Sequence, residues 1–426
     1  MASVDHCTAQ ELGTFIDGSP SPFHATAAVA ALLEDAGFSE LAETDQWTGS
    51  AQNGFIRRGG SLVAWAQSHG PDPLSGFRII GAHTDSPNLR IKPRPDSGNA
   101  GVSQLGVEVY GSALLNSWLD RDLGISGRVA VAGEGITQHL VRIDEPVLRV
   151  PQLAIHLDRD VNDVGLKLNR QKHMAPIWRD GPSDLGHFAS WLAERIRVEE
   201  DQIRGWDLMA HDLTPSSLMG ADEAFLAAPR IDNLASCHAG TVALLAAEPS
   251  ASTLVLCLFD HEEVGSVSAT GAAGALLPGV LSRIHRLGGG KPEDLPRSLA
   301  ASACISADGA HATHPNYVDR HEPDHRIQLN GGPVIKRNSN ARYATDAAGQ
   351  ALAEEACRAA EVPFQLFVNR TDLACGSTIG PVTAAQLGVT TVDMGIAQLS
   401  MHSARELCGA ADPPRLAGAL RAFYCL

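Results

Sequence analysis

The spacing of hydrophobic and polar positions alternates between helical and strand-like patterns in the first part of the chain. Ser21 followed by Pro22 predicts the start of a helix, and the alanine- and leucine-rich run after it extends to Ala36 before a glycine. Apolar runs of strand length follow at 60–67 and 77–82, and the second is typical of a buried strand. This part of the chain therefore predicts an α/β arrangement.

The pattern changes to short strands and glycine turns from about residue 100. The segments 101–110 and 127–143 are typical of strands, and the glycines at 133–135 predict a tight turn within the second segment. One helix is predicted in this block, at roughly 184–198. Its apolar face consists of Phe188, Trp191, Leu192 and Ile196. The block is predicted to be a separate β-rich domain.

The α/β pattern returns from about Phe225 and continues to the end of the chain. Helices are predicted at 233–247, 345–360 and 415–424, and strands at 252–259, 301–307, 362–369 and 389–396. Because similar α/β segments lie before and after the β-rich block, we expect one discontinuous domain with an insertion. The predicted boundaries are 1–93 and 225–426 for the two parts of the discontinuous domain, and 94–224 for the insertion.

The net charge of the chain argues against nucleic acid and anionic membranes as partners. The 426 residues include 33 Lys and Arg against 49 Asp and Glu, which gives a formal charge of −16. Binding to nucleic acid or to an anionic membrane surface needs a basic footprint, so neither partner is predicted. Net charge does not exclude an acidic small substrate, because it says little about a single pocket.

Cysteine usage and hydropathy predict a cytoplasmic protein. None of the eight cysteines forms a C-x-x-C pair, and several lie in apolar runs that predict buried free thiols. The first ten residues carry an acid and no apolar core, so no signal peptide is predicted. No apolar stretch is long enough to span a membrane.

Acidic and histidine side chains follow four of the predicted strands. These are His83 and Asp85, then Asp260 to Glu263, then Asp308, and, after a short loop, His402. Any one of these groups alone is typical of a solvated loop. Open α/β sheets, however, bind ligands beyond the carboxyl ends of their strands, so we expect these groups to share one edge.

Histidine and carboxylate groups without cysteine are typical of a catalytic site for zinc, cobalt or manganese. Two histidines and several carboxylates fit a two-metal site, in which a carboxylate and a water bridge the metals. One further carboxylate must stay unligated to move the proton, and the adjacent Glu262 and Glu263 can supply one base and one ligand.

Other catalytic motifs are not present in the sequence. The HEEVG segment from His261 is not H-E-x-x-H, and the GGGK segment at 288–291 lacks the first glycine and the Ser/Thr of a P-loop. No G-x-S-x-G elbow is found, and no G-x-G-x-x-G follows a predicted strand.

Six ordered motifs resemble the aspartyl aminopeptidase family of dinuclear metallopeptidases. They are GAHTDSPNLRIKP, RIDNLASCHAG, LFDHEEVGS, SADGAHATHPNY, NGGPVIKRNSNARYATD and MGIAQLSMHSARE. The resemblance also covers LNSWLDRDLGISGRV and LAIHLDRDVN in the middle block. It implies a mixed-sheet, phosphorylase/hydrolase-like catalytic domain with an inserted β-rich dimerisation domain.

The resemblance also implies a role for each site residue. His83, Asp232 and Asp308 would hold one metal, and Asp232 would bridge to a second metal that Glu263 and His402 complete. Glu262 would be the general base that activates the bridging hydroxide, and Asp85 would hold the second nitrogen of the His83 ring. The cofactors would be two divalent ions per subunit, zinc first, with cobalt or manganese as alternatives.

The implied substrates are peptides with an N-terminal aspartate or glutamate. Lys336 would supply the cation for the acidic side chain and Tyr343 a hydroxyl, with Arg337 and Arg342 as alternatives. His156 would reach the active site of a partner subunit and stabilise the oxyanion there. The implied assembly is a dimer that builds a dodecamer.

Simpler interpretations exist for three of these residues. Asp232 fits a helix N-cap, Lys336 a solvated surface lysine and His156 a satisfied core histidine. Rival functions also stay open at this point: an aminopeptidase with neutral or broad preference, a related deacylase, and a non-catalytic assembly protein that kept the fold.

Overall fold

The computed structural model describes residues 7–48, 52–67, 72–248 and 250–426. The chain packs as two compact units. The first comprises Met1–Asp85, Ser216–Met401 and Glu406–Leu426, and the second comprises Ser86–Pro215 and His402–Arg405. The limits at Asp85 and Pro215 lie upstream of the limits 93 and 224 expected from the sequence. At the first limit, one strand, Asn88–Asn99, includes Pro93 and Pro95, with an irregular register between Ile91 and Asp96.

Ten α-helices occur among the described residues. They are α1 (Ala9–Gly18), α2 (Pro22–Asp35), α3 (Val161–Val164), α4 (His187–Ile196), α5 (Ile231–Ala246), α6 (Leu276–Leu287), α7 (Asp294–Ala300), α8 (Ala347–Ala359), α9 (Ile379–Leu387) and α10 (Asp412–Cys425). The helix that the sequence predicts after Ser21 is confirmed as α2, since the Ser21 side chain accepts a hydrogen bond from the His24 N–H at its start. None of the helices in the described residues combines the length and apolarity needed to cross a membrane.

The described residues form twenty β-strands. They are β1 (Ser39–Glu40), β2 (Asn53–Arg58), β3 (Ser61–Ala66), β4 (Phe77–His83), β5 (Asn88–Asn99), β6 (Val102–Tyr110), β7 (Leu123–Ala132), β8 (Ile136–Leu148), β9 (Ile177–Asp180), β10 (Ile203–Asp212), β11 (Ser217–Met219), β12 (Phe225–Ala228), β13 (Thr253–Phe259), β14 (Ala303–Ala307), β15 (Ala310–His311), β16 (Val334–Arg337), β17 (Gln365–Val368), β18 (Thr390–Gly395), β19 (Ala397–Leu399) and β20 (Glu406–Gly409).

A nine-stranded mixed sheet forms the centre of the first unit. Its strand order is β1-β2-β3-β13-β4-β14-β18-β16-β17, and the four adjacent strands β13, β4, β14 and β18 are parallel. The side chains of β13 alternate between the two faces: Leu254, Leu256 and Leu258 enter one core, and Val255, Cys257 and Phe259 enter the other. Helices cover both faces, as expected for a sheet whose central strands are buried on each side.

A second, five-stranded sheet belongs to the same unit. Its order is β11-β12-β20-β19-β15, and β12 pairs antiparallel with β20 so that Ala228 lies opposite Glu406. This pairing joins the segment just before α5 to the C-terminal part of the chain.

The second unit is built on a six-stranded antiparallel sheet with the order β8-β7-β10-β5-β6-β9. Helix α4 packs against it through Phe188 and Leu192, both of which are fully buried. The predicted apolar face of this helix is confirmed, since Trp191 and Ile196 pack against the same core. The antiparallel order agrees with the β-rich composition predicted for this part of the chain.

Candidate metal centre

The carboxyl ends of three adjacent parallel strands carry most of the candidate site. Strand β4 ends at His83 and is in register with β13, whose last residue, Phe259, lies opposite it. Strand β14, on the other side of β4, ends one residue before Asp308. Parallel strands in register place the residues that follow them at one edge, so the chain delivers imidazole and carboxylate groups to the same place.

Asp232 enters this edge from the start of α5. Its backbone is not helical (φ −80°, ψ 108°), and its N–H donates to the Glu406 carboxylate at 2.8 Å. The next residue, Asn233, donates from its side-chain amide to the carbonyl of Ala307 at 2.8 Å, directly before Asp308. These two bonds fix the backbone on which the Asp232 carboxylate is carried.

A short 3₁₀ turn from Glu262 to Val264 follows β13 and carries two further carboxylates. Both carboxylate oxygens of Asp85 accept from this turn, one from the Glu262 N–H and one from the Glu263 N–H, each at 3.1 Å. Asp85 also lies against His83, whose Nδ1 is 3.0 Å from the Asp85 carbonyl oxygen and 3.5 Å from its carboxylate. Asp85 therefore connects the imidazole to the turn.

The oxygen and nitrogen atoms of this site lie close enough to share a cation. The His83 Nε2 is 3.3 Å from an Asp232 oxygen and 3.7 Å from an Asp308 oxygen. Ligand atoms of these three buried residues all lie within 4.8 Å of one another, and Asp232 and Glu263 likewise offer oxygens within 4.8 Å of each other. One imidazole with several carboxylates is a donor set that suits zinc, so the residues fit a zinc ion.

The electrostatics of the site favour a positive charge among these groups. Burial, followed by the charges of Asp308, Asp232 and Asp85, raises the pKa of Glu262 to about 8, against the opposing effect of His83. Burial alone would lower the pKa of His83, but its contacts with Asp232 and Asp85 and the charge of Glu262 raise that pKa well above its ordinary value. The Glu262 carboxyl and the His83 imidazole both hold their protons more tightly, and a divalent cation would offset the negative charge that contributes to both shifts.

Lys336 lies on β16 with 1% of its surface exposed. Its ammonium group donates to an Asp308 carboxylate oxygen at 3.2 Å and to the Gly309 carbonyl at 2.9 Å. The ring of Tyr343 lies beside it, with the Lys336 Nζ 4.9 Å from the ring centroid. The interpretation of Lys336 as a solvated surface lysine is therefore wrong.

The two arginines that the sequence leaves as alternatives to Lys336 are both exposed. The Arg337 guanidinium donates to the side chain of Gln350 on α8 at 3.0 Å. The backbone N–H of Arg342 donates to the Asn338 side chain at 3.4 Å. Lys336 is the one of the three cationic side chains that is buried against the site.

The simpler interpretation of His156 also fails, whereas that of Asp232 stays a prediction. Helix α5 is kinked at Asp232 and Asn233, whose backbone angles are both non-helical, so Asp232 lies where the longer part of the helix begins. His156 lies in an exposed 3₁₀ turn, Ile155–Leu157, and its side chain is exposed, so it is not a core histidine.

His402 begins the short segment that packs with the second unit. Its backbone is left-handed (φ +68°) and its carbonyl accepts from the Leu114 N–H at 3.0 Å. The His402 Nδ1 lies 3.2 Å from the carbonyl oxygen of Ser112, a geometry that orients the ring. Its role as a metal ligand stays a prediction.

Sequence reasoning missed several buried acids of the first unit, among them Glu406 and Asp393. Glu406 is the last residue of the final motif and binds the Asp232 N–H, as described above. Asp393 lies within β18, fully buried, and accepts from Ser306, Thr378 and the Ala344 N–H. An acid inside an apolar strand, as in VTTVDMGI, is the one signal that points to a satisfied buried carboxylate.

Comparisons with known proteins agree on one family. The family model described as "Aminopeptidase I zinc metalloprotease (M18)" matches residues 15–424. The Streptomyces coelicolor protein named "Probable M18 family aminopeptidase 2" is 51% identical over 418 residues, which cover 97% of this chain and 96% of that protein.

Two solved structures are similar over nearly the whole chain. A chain in the cryo-EM structure of the Ape4 and Nbr1 complex has a TM-score of 0.94 and 37% identity, covering 99% of this chain and 86% of its own. The S. cerevisiae mApe1 dodecamer has a TM-score of 0.86 and 31% identity, covering 98% of this chain and 96% of its own.

Proposed function

Because the chain belongs to the aminopeptidase I (M18) family of zinc metalloproteases, we propose that it removes N-terminal aspartate and glutamate residues from peptides. The observation that carries this proposal is the buried cluster of His83, Asp232 and Asp308, with the carboxylate of Glu262 beside it and the ammonium group of Lys336 on Asp308. Hydrolysis requires the metal-binding cluster and a general base, for which Glu262 is the candidate. Preference for an acidic residue requires a positively charged side chain, for which Lys336 is the candidate.

We propose two zinc ions per subunit. His83, Asp232 and Asp308 would hold one ion, and Asp232 would bridge to a second, for which Glu263 and His402 complete the ligands. The closeness of the Asp232 and Glu263 oxygens supports the second position. His402 enters this set through the resemblance to the family.

Zinc, when bound, lowers the pKa of a coordinated water and polarises the carbonyl of the scissile peptide bond. The residues of the chain then handle the proton. Glu262 lies with its carboxylate 4.0 Å from the His83 Nε2 and takes the proton of the attacking water. It passes that proton to the amine that leaves. Asp85 holds Glu262 in place by accepting from the N–H groups of its turn.

The preference for an acidic residue would come from Lys336. A buried ammonium group is costly unless it is paired, and here Asp308 and Gly309 pair it. An acidic side chain of the substrate would bind the same ammonium group, with the Tyr343 hydroxyl as a second donor. The pocket would thereby be locally positive in a chain of net charge −16.

The second unit would act as a dimerisation domain. The segment around His156 exposes apolar side chains that a monomer would leave in water: Leu153, Ile155, Leu157 and Val164. Packing of this segment on a partner subunit would bury them and bring His156 to the partner's active site, where it would stabilise the oxyanion. The solved mApe1 relative is a dodecamer, and we propose the same assembly, built from such dimers and located in the cytoplasm.

The test is a panel of peptide substrates with Asp, Glu, Leu and Lys at the N-terminus. The panel is assayed with and without a chelator, and again after addition of zinc, cobalt or manganese. We expect hydrolysis of the Asp and Glu substrates, loss of activity on chelation and recovery with zinc. Equal hydrolysis of all four substrates would contradict the acidic preference and indicate an aminopeptidase of broad specificity. Activity that survives chelation would contradict metal catalysis.

A further inference from the structure

Glu406 is a buried acid that has no role in the proposed reaction. It is the first residue of β20, its side chain is 2% exposed, and its carboxylate accepts from the backbone N–H of Asp232 at 2.8 Å. The structure assigns Glu406 the role of a positioning residue for Asp232, the carboxylate proposed to bridge the two metals. This inference rests on the proposed function, since it concerns the same metal centre.

The backbone at Asp232 needs such a partner. Arg230 is in the left-handed conformation (φ +55°) and Asp232 is not helical, so the Asp232 N–H stands outside the hydrogen-bond ladder of α5. Asp232 is buried, and a buried N–H without an acceptor costs free energy. The Glu406 carboxylate supplies the acceptor, and a charged acceptor makes the stronger bond.

The pairing of β20 with β12 determines where the Glu406 carboxylate lies. Ala228 of β12 lies opposite Glu406 in the antiparallel pair, four residues before Asp232. The side chain of Glu406 therefore extends from a paired strand rather than from a loop, and its carboxylate has a defined position. A group held in this way can hold another residue in turn.

Two further hydrogen bonds tie α5 to the strands of the site. The side-chain amide of Asn233 donates to the Ala307 carbonyl at 2.8 Å, and the thiol of Cys237 donates to the His83 carbonyl at 2.9 Å. Those two join α5 to β14 and β4, which carry Asp308 and His83. The bond from Glu406 is the one that acts on Asp232 itself.

Glu406 acts on the metals through Asp232 rather than as a ligand. Among the described residues, the groups whose atoms converge as metal ligands contain Asp232 but not Glu406. Loss of the bond would allow the Asp232 carboxylate to move relative to His83 and Asp308. Partners that orient metal ligands typically change metal affinity by about 10–100-fold when they are removed.

The experiment measures zinc affinity of the full chain by competition with a chelating indicator. Glu406→Gln keeps an oxygen acceptor without the charge, whereas Glu406→Met keeps the length and volume without a comparable acceptor. We expect zinc affinity to fall about 10–100-fold in Glu406→Met. We expect Glu406→Gln to stay within about threefold of the wild-type affinity, because the backbone N–H is still satisfied. Glu406→Ala replaces the methionine variant if that variant does not fold.

Asp412→Ala is the matched control. Asp412 is also a buried acid next to β20 and accepts from the N–H groups of Asn330 and Gly332, away from the metal ligands. Its loss is expected to lower thermal stability and leave zinc affinity unchanged. Three results would overturn the inference: wild-type affinity in Glu406→Met, equal losses in Glu406→Gln and Glu406→Met, or an equal loss in Asp412→Ala. Failure of the wild-type chain to bind zinc would instead contradict the proposed function.

Discussion

At the scale of single residues, the first unit places several carboxylates close together, although the repulsion between their negative charges opposes this arrangement. Asp232, Asp308 and Glu262 all lie within 4.0 Å of the His83 ring nitrogen. Burial raises the pKa of Glu262 to about 8, and the negative charges of Asp308, Asp232 and Asp85 contribute to the same shift. Divalent cations bound in such a cluster would stabilise it, because their positive charge offsets the repulsion between the carboxylates.

Glu262 is the residue whose loss separates chemistry from metal binding. In Glu262→Gln the amide cannot accept the proton of the attacking water, so we expect kcat to fall by roughly 10²–10⁴-fold. Zinc content should remain that of the wild-type chain, because the proposed ligands are untouched. Steady-state kinetics and elemental analysis measure the two quantities, and near-wild-type turnover would remove Glu262 from the role of base.

Lys336 is the residue expected to set the preference for acidic substrates. In Lys336→Ala, kcat/KM for Asp and Glu substrates should fall about 10–100-fold more than for a Leu substrate, since a buried charge-assisted hydrogen bond is lost. Some loss on every substrate is expected too, because Lys336 also holds Asp308. Arg337→Ala is the control, since that neighbouring cation is bound to Gln350 and should leave the preference intact. Equal losses on acidic and neutral substrates would place the acidic pocket elsewhere.

At the scale of elements, the parallel strands explain why distant residues meet. Strands β13, β4 and β14 are adjacent and in register, and each is followed by at least one residue of the candidate site. Helix α6, which contains Pro278 in its first turn, was not predicted from the sequence, whereas α2, which begins at Pro22, was. Proline is tolerated in a first turn because that N–H has no helical partner.

The end of β18 makes close contact with the segment that carries Asp308. A methyl group on Gly395 would lie 1.9 Å from the Asp308 carbonyl oxygen, so Gly395→Ala requires the backbone of this proposed ligand to shift. We expect a loss of about 1–3 kcal/mol in the free energy of unfolding, together with weaker zinc retention.

The matched control for this glycine lies on α10. A methyl group on Gly418 would meet Ala360 at 3.8 Å, an ordinary contact, inside a helix. Gly418→Ala is expected to stabilise the chain by up to about 1 kcal/mol. Denaturant unfolding and zinc analysis distinguish the pair, and equal behaviour of the two variants would contradict the constraint at Gly395.

At the scale of the whole molecule, zinc should contribute to stability as well as to chemistry. A ligand present at about 100 times its Kd stabilises the native state by about 2.7 kcal/mol. We therefore expect the Tm to fall by roughly 2–5 °C on chelation and to recover with added zinc. Thermal scans with and without chelator measure the shift, and an unchanged Tm would mean that bound metal does not stabilise the native chain.

The charge of −16 should affect the capture of acidic substrates. Long-range repulsion between an anionic protein and an anionic peptide weakens as salt shortens the Debye length from about 30 Å at 0.01 M to about 8 Å at 0.15 M. We expect kcat/KM for an Asp substrate to rise modestly over this range, while that of a neutral Leu substrate stays flat. A fall in the Asp value with added salt would indicate that a positive entrance dominates instead.

The sequence by itself determined the pattern of strands and the positions where chemistry follows them. Apolar runs are followed directly by His83 and Asp308, and after two further residues by the pair Glu262–Glu263. In an open α/β sheet, residues that follow the strands lie at the edge where ligands bind. The motifs from GAHTDSPNLRIKP to MGIAQLSMHSARE also identified the family correctly, as the family match over residues 15–424 confirms. These features are local, so they can be read from neighbouring residues.

Only the tertiary structure decided which charged side chains are buried and what holds them. Lysine is usually a surface residue, but Lys336 is buried, and its ammonium group is paired by Asp308, 28 positions away in the sequence. Asp232 departs from its helix, and the acceptor for its N–H is Glu406, 174 positions further along the chain. Burial and orientation of this kind depend on contacts between distant segments, and local sequence patterns carry no information about them.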